Sequence, residues 1–198
     1  PPQDVPAIHA QGPRFWPLAI ARELDDAILH LRANEGDIGT WVFRSVGNPD
    51  FAEAADRALL ANRSDWLVRE ITHYLKRTPK RIDVSSRSLI ALVEQGSCFV
   101  GTLLELVLAS DRSFMLDGTA GGSNLPPASV RLTGMNFGSL PMGNGLTRLQ
   151  RRLFADPQRA DALRDDAGRA IEAGEGEAKG PGTFAPDGNR WGNQVGPA

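Results

Sequence analysis

Residues 88–111, SLIALVEQGSCFVGTLLELVLASD, constrain the fold more than any other part of the chain. A β-type apolar run gives way to a small-residue turn, and a strongly apolar helix follows. The stretch is long enough to cross a bilayer, but Glu94, Gln95 and Glu105 interrupt it and the turn divides it into strand, loop and helix. It therefore reads as the core of a soluble protein rather than a membrane span. Glu105 is the anomaly within it. A buried, unpaired carboxylate is costly, so Glu105 meets water, pairs with an arginine such as Arg112 or Arg131, or belongs to a site that uses it.

Around this segment, strand and helix patterns alternate, which indicates an α/β architecture. Helices are expected at 16–32, 51–60, 64–77, 101–110 and 146–154, the third opened by Ser64 and ended by Thr78-Pro79. Strands are expected at 37–46, 88–94, 112–116 and 128–132, with a turn at 47–50 and a glycine-rich segment at 134–145. Residues 1–13 read as an irregular linker and 14–167 as the domain. Residues 168–198 read as a glycine-rich, poorly ordered tail with at most a weak helix at 168–179.

The formal net charge of −2 gives no global reason to expect nucleic acid or an anionic membrane. Cys98 is the only cysteine, which excludes an intrachain disulfide and a cysteine-rich zinc cluster and suits a cytoplasmic setting. No secretory leader is visible in PPQDVPAIHAQGP. Cys98 reads as packing, since His9, His30 and His73 show no spacing that pairs with it or with a metal. Trp16, Trp41 and Trp66 read as core or interface.

The turn between strand and helix suits negative charge, because backbone N–H groups point outward there. Residues 96–101 give the G-x-x-x-x-G of a phosphate loop, but Thr102 and Leu103 stand where it needs lysine and a hydroxyl. The other reading is an oxyanion site, in which free N–H groups hold a thioester oxygen and Glu105 moves a proton.

GSCFVGTLLELVLASD, with NFGSLPMGNGLTRL downstream, resembles the crotonase (enoyl-CoA hydratase) superfamily. Three longer segments, FWPLAIARELDDAILHLRANEGDIGTWVFR, RIDVSSRSLIALVEQGSCFVGTLLELVLASDRSFM and MNFGSLPMGNGLTRLQRRLF, resemble the C-terminal half of its ring-opening lyases of aerobic benzoyl-CoA degradation. The resemblance implies the ββα superhelix of the ClpP/crotonase fold, here as a single truncated domain. It implies an aromatic acyl-CoA thioester as substrate, coenzyme A being part of that substrate and no separate cofactor being needed. It assigns Glu105 as acid/base, Thr102 and Gly101 as oxyanion-hole backbone, and Asn144 and Gly145 as substrate-binding residues. As partners it implies an N-terminal crotonase-like half or an equivalent catalytic chain, and a homo-oligomer. The second glutamate of the superfamily falls on Gly134, so the carboxylate pair is incomplete. The alternative is a catalytically degenerate scaffold that supports a catalytic domain. Arg148, Arg151 and Arg152 read as a basic helix face, solvated or meeting coenzyme A phosphates.

Overall fold

A computed structural model describes residues 1–118, 124–187 and 191. Asp4 opens the first helix, α1 (Val5–Gln11), by accepting the Ala7 N–H on its side chain. This is a departure from the expected irregular linker: Ile8 is fully buried, packed with Phe15 and with apolar residues of the later helices. Val5 and Ile8 alone, in a short proline-rich stretch, are too few to set a helical period, which is why the helix was not legible.

The helix α2 (Trp16–Ala33) leads to strand β1 (Thr40–Phe43). Two helices then cross back, α3 (Pro49–Ala61), capped by Asn48, and α4 (Trp66–Asp83), capped by Asp65 rather than by Ser64. They deliver the chain to β2 (Ser88–Val93). After the turn come a short strand β3 (Phe99–Val100), helix α5 (Leu104–Ala109) and strand β4 (Arg112–Met115). The first sheet has the order β1-β2-β4, all parallel, with Trp41 beside Leu89 and Leu92 beside Phe114. Parallel strands need cover. Helix residues Ile28, Ile82, Leu104, Val107 and Leu108 join strand residues Trp41, Ala91 and Val93 in the largest apolar cluster.

A second sheet holds β3, β5 (Ser129–Arg131) and β6 (Ala170–Glu172), β6 running antiparallel to β5. Helices α6 (Arg148–Arg152), α7 (Pro157–Ala162) and α8 (Ala173–Lys179) complete the described α-helices.

Three further expectations are corrected here. Thr78-Pro79 does not end α4, which continues to Asp83. Proline leaves a helical carbonyl without its donor, costing about 3 kcal/mol. Beyond it, however, Ile82 is buried in the core and Asp83 meets a buried arginine, so tertiary contacts hold the last turn. The tail, expected to be poorly ordered with at most a weak helix at 168–179, does hold a helix at Ala173–Lys179, but it is anchored as well: Ile171 is 0 % exposed opposite Val130, and 183–186 bond to the β4 edge. Residues 188–190 and 192–198 of that tail lie outside the described set. The helix expected from 101 begins at Leu104, a tight turn occupying 101–103.

Candidate active site

Gly101 closes the turn with φ +48°, and its N–H donates to the Arg131 carbonyl at 2.9 Å, extending the β3–β5 pairing. A Cβ at this position would stand 1.7 Å from Asp56 Oδ2 and 2.4 Å from Thr133 Oγ1. Both the backbone conformation and the close approach therefore require glycine.

The group pressed against that glycine is the carboxylate of Asp56, carried on α3 and 2 % exposed. The Thr102 N–H donates to Asp56 Oδ2 at 2.9 Å, the Thr102 hydroxyl to Oδ1 at 2.6 Å, and the Thr133 hydroxyl to Oδ2 at 2.7 Å. Burial pushes the Asp56 carboxyl up to about 6, against the pull of those hydrogen bonds, and the nearby Glu53 charge adds to the rise. The N–H expected to face a substrate oxygen is thus bound to an internal carboxylate.

Glu105 is 1 % exposed and lies one turn further on. Asn136 Nδ2 donates to its Oε1 at 2.7 Å and also to the Gly101 carbonyl at 2.9 Å. Arg148 Nη1 donates to its Oε2 at 2.8 Å. The same guanidinium grips Asp83 through two bonds, at 2.9 and 2.7 Å, and reaches the Leu140 carbonyl at 3.1 Å. Burial raises the Glu105 carboxyl above the ordinary range while the Arg148 charge opposes the rise. Its cationic partner is therefore Arg148, not Arg112 or Arg131. Arg112 is exposed, and Arg131 binds Asp50 and Glu53, each at 2.8 Å.

The expected basic face of α6 dissolves in the same way. Arg148 is 1 % exposed, and Arg152 donates to the carbonyls of Val107, Leu108 and Ser110, closing the C-terminal end of α5. Burial and the neighbouring Arg151 lower the Arg152 guanidinium to about 10. Arg151 alone of the three is exposed.

Asn144 and Gly145 form an exposed turn before α6, with Asn144 Oδ1 accepting the Leu146 N–H and the Gly145 N–H donating to the Met142 carbonyl. Gly134 sits against Leu60, where a Cβ would come within 2.8 Å. Cys98 is buried, and burial raises its thiol. His9 meets Asp65 and the edge of Trp66, while His30 meets Asn34. Among the described residues no cluster of histidine, cysteine and carboxylate side chains has a metal-binding arrangement. No helix among them is long and apolar enough to cross a membrane.

Asp56, Thr133, Asn136 and Asp83 were missed by sequence reasoning, and Arg148 was read as part of a basic surface rather than as a buried partner. A signal existed for Asp56, which shares the apolar face of α3 with Ala52, Ala55 and Leu59. Asn136 completes a capping box with Thr133, which is legible as Thr-x-x-Asn.

No family model matches the chain. It is 47 % identical over 188 residues to the benzoyl-CoA-dihydrodiol lyase of Aromatoleum evansii, an alignment covering 95 % of this chain and 33 % of that protein. The chain thus spans about a third of the length of the curated relative it matches. An enoyl-CoA hydratase from Bacillus anthracis superposes with a TM-score of 0.60 at 20 % identity, covering 90 % of this chain and 63 % of the other. An enoyl-CoA hydratase/isomerase from Xanthobacter autotrophicus Py2 superposes with 0.61 at 17 % identity, covering 89 % and 60 %. The fold is therefore the crotonase fold.

Proposed function

We propose that this span is one crotonase-type unit of a longer ring-opening lyase acting on a benzoyl-CoA-derived thioester, and that within it the unit supports a catalytic unit rather than forming the thioester site itself. The first part rests on similarity to the benzoyl-CoA-dihydrodiol lyase, at 47 % identity. The second rests on one observation, the Asp56 carboxylate bound to the Thr102 N–H.

An oxyanion hole works because its donors are free and already aimed at the developing charge. Here the donor holds a carboxylate, fixed by two further hydroxyls, and a thioester oxygen has to displace all three bonds. Glu105 is equally committed, with an arginine on one oxygen and an amide on the other. A general acid/base needs an oxygen within reach of substrate. The partner this reading requires is a second crotonase-like unit carrying open donors and a free carboxylate.

Calorimetric titration of the purified chain with benzoyl-CoA, against free coenzyme A, tests the reading. Equal affinities, or none for either, are expected. Binding of the thioester about tenfold tighter than the thiol, some 1.4 kcal/mol, and abolished in Glu105→Gln, would return the catalytic role to this turn.

A further inference from the structure

Between α4 and β2 stands the one described non-glycine residue with a positive φ, Ser86 at 55°. Side chains seldom take that conformation unless the surroundings or a function require it. A positive φ in a tight loop aims successive N–H groups to one side, forming the kind of concavity that cups anions. The Ser85 N–H is already used, donating to the Ile82 carbonyl at 3.0 Å. The Ser86 and Arg87 N–H groups have no acceptor among the described residues.

This loop borders a cavity of about 270 Å³, walled by Leu89, Ala109 and Met142 and lined by the Arg87 and Arg151 side chains. Neither guanidinium has a carboxylate partner among the described residues. Arg87 reaches only the Ser86 and Gly36 carbonyls, each at 3.4 Å and so beyond the ordinary hydrogen-bond range, and its Nε–H is buried without an acceptor. Arg151 is exposed and makes no ion pair. The two carboxylates of the wall are already matched. Asp83 is held by Arg148, while Asp111 accepts the Leu89 N–H at 2.8 Å and faces the Arg152 charge. Two cations are therefore left over, next to two free backbone donors.

We infer that this cavity binds a small phosphorylated ligand, whose phosphoryl oxygens take the Ser86 and Arg87 N–H groups and the two guanidinium groups. Donors that come from backbone and side chains on different elements suit a tetrahedral oxyanion better than a flat carboxylate, and arginine pairs strongly with phosphate. The apolar wall of Leu89, Ala109 and Met142 suits a short carbon skeleton, and the volume lies below the roughly 300–1,000 Å³ of pockets for larger ligands. The site is separate from the turn at 96–102. Strand β2 runs from Ser88 to Val93, so cavity and turn lie at its opposite ends, about 20 Å apart.

Amide NMR spectra of the chain, titrated with inorganic phosphate and with glycerol phosphate at constant ionic strength in chloride, test this. A pH of about 7.5 keeps both probes largely dianionic, the second phosphate pKa being roughly 6. Saturating shifts at the Ser86 and Arg87 amides are expected, with binding weakened about tenfold in Arg87→Gln and in Arg151→Gln. Ser86→Gly keeps the N–H groups and tolerates the positive φ, so it should still bind. Tighter binding of glycerol phosphate assigns the site to an organic phosphoester, and equal or weaker binding assigns it to inorganic phosphate. Shifts that fail to saturate, or that chloride alone reproduces, overturn the inference. Saturable binding that the arginine variants leave unchanged overturns it too, because the ligand then sits elsewhere. Arg151 is exposed, so its variant keeps the test decisive if Arg87→Gln does not fold.

Discussion

Gly101 and Gly145 both hold a positive φ, 48° and 88°, yet they fail differently when a methyl group is added. At Gly145 a Cβ meets nothing within 4 Å, so Gly145→Ala carries only left-handed strain, about 1 kcal/mol. At Gly101 it strikes Asp56 and Thr133, and Gly101→Ala is expected to cost about 3 kcal/mol or more by urea denaturation. Similar losses at both sites would contradict the packing of Asp56 in the turn. Asp56 also gives stability a pH dependence with a definite sign. Its folded value, about 6, lies above the ordinary 3.8, so its contribution is complete below pH 3.8 and is lost as pH rises through 6. The difference amounts to roughly 2–3 kcal/mol. Unfolding free energies from pH 4 to 7, compared with those of Asp56→Asn, should show this fall in the native chain and its absence in the variant. A variant profile parallel to the native one would show that Asp56 titrates normally. At this scale the sequence raised the right question about Glu105 without supplying its answer. Its partner Arg148 lies 43 residues downstream, and periodicity carries no information about which side chains meet across a core.

Among the elements, α4, α5 and α6 are joined by one buried arginine. Arg148 at the start of α6 bonds Asp83 at the end of α4 and Glu105 in α5, with two anions facing one cation. Removing the cation leaves the buried Glu105 and the partly buried Asp83 uncompensated, so Arg148→Met should destabilise by about 3–5 kcal/mol. Glu105→Gln keeps the shape and one hydrogen bond, and its cost should be smaller. The double variant should lose less than the sum of the two, because the second change relieves a charge the first has stranded. Additive losses in chemical denaturation would show that the three groups do not act as a unit. The same network explains a misread boundary. Proline argues locally against helix, and the residues that keep α4 helical to Asp83 act through contacts with α5 and α6. Strongly periodic segments such as α2 and the apolar β2 were legible, since their own side chains carry the pattern. The anchors Ile8 and Ile171 were not, because each is the one buried side chain of a short element with too few apolar residues to set a period.

At the scale of the whole molecule, the crotonase-type reading was available from motifs spread over the chain, while the way its C-terminal segment adds to both sheets was not. Ile171 enters the main core with Ala173 from a segment otherwise rich in glycine and charge. That segment adds β6 to β5, and the chain beyond it lays Phe184 on Phe114 with ring centroids 5.2 Å apart. Compositional bias describes what a segment cannot do alone, and here the packing surface is supplied by strands laid down earlier. Truncation after residue 167 should therefore destabilise the chain rather than trim a loose end. Losing a fully buried isoleucine costs about 2–5 kcal/mol, and the β5 and β4 backbone groups freed by the cut add to it. In a domain with an overall stability of about 5–15 kcal/mol, a cooperative transition should shift to much lower urea or broaden into partial unfolding. An unchanged midpoint would mean that 168–187 lies on the fold without contributing to it. Substituting Ile171→Ala within the full chain distinguishes the core contribution from strand pairing, because it empties the core site and keeps the β5–β6 ladder intact.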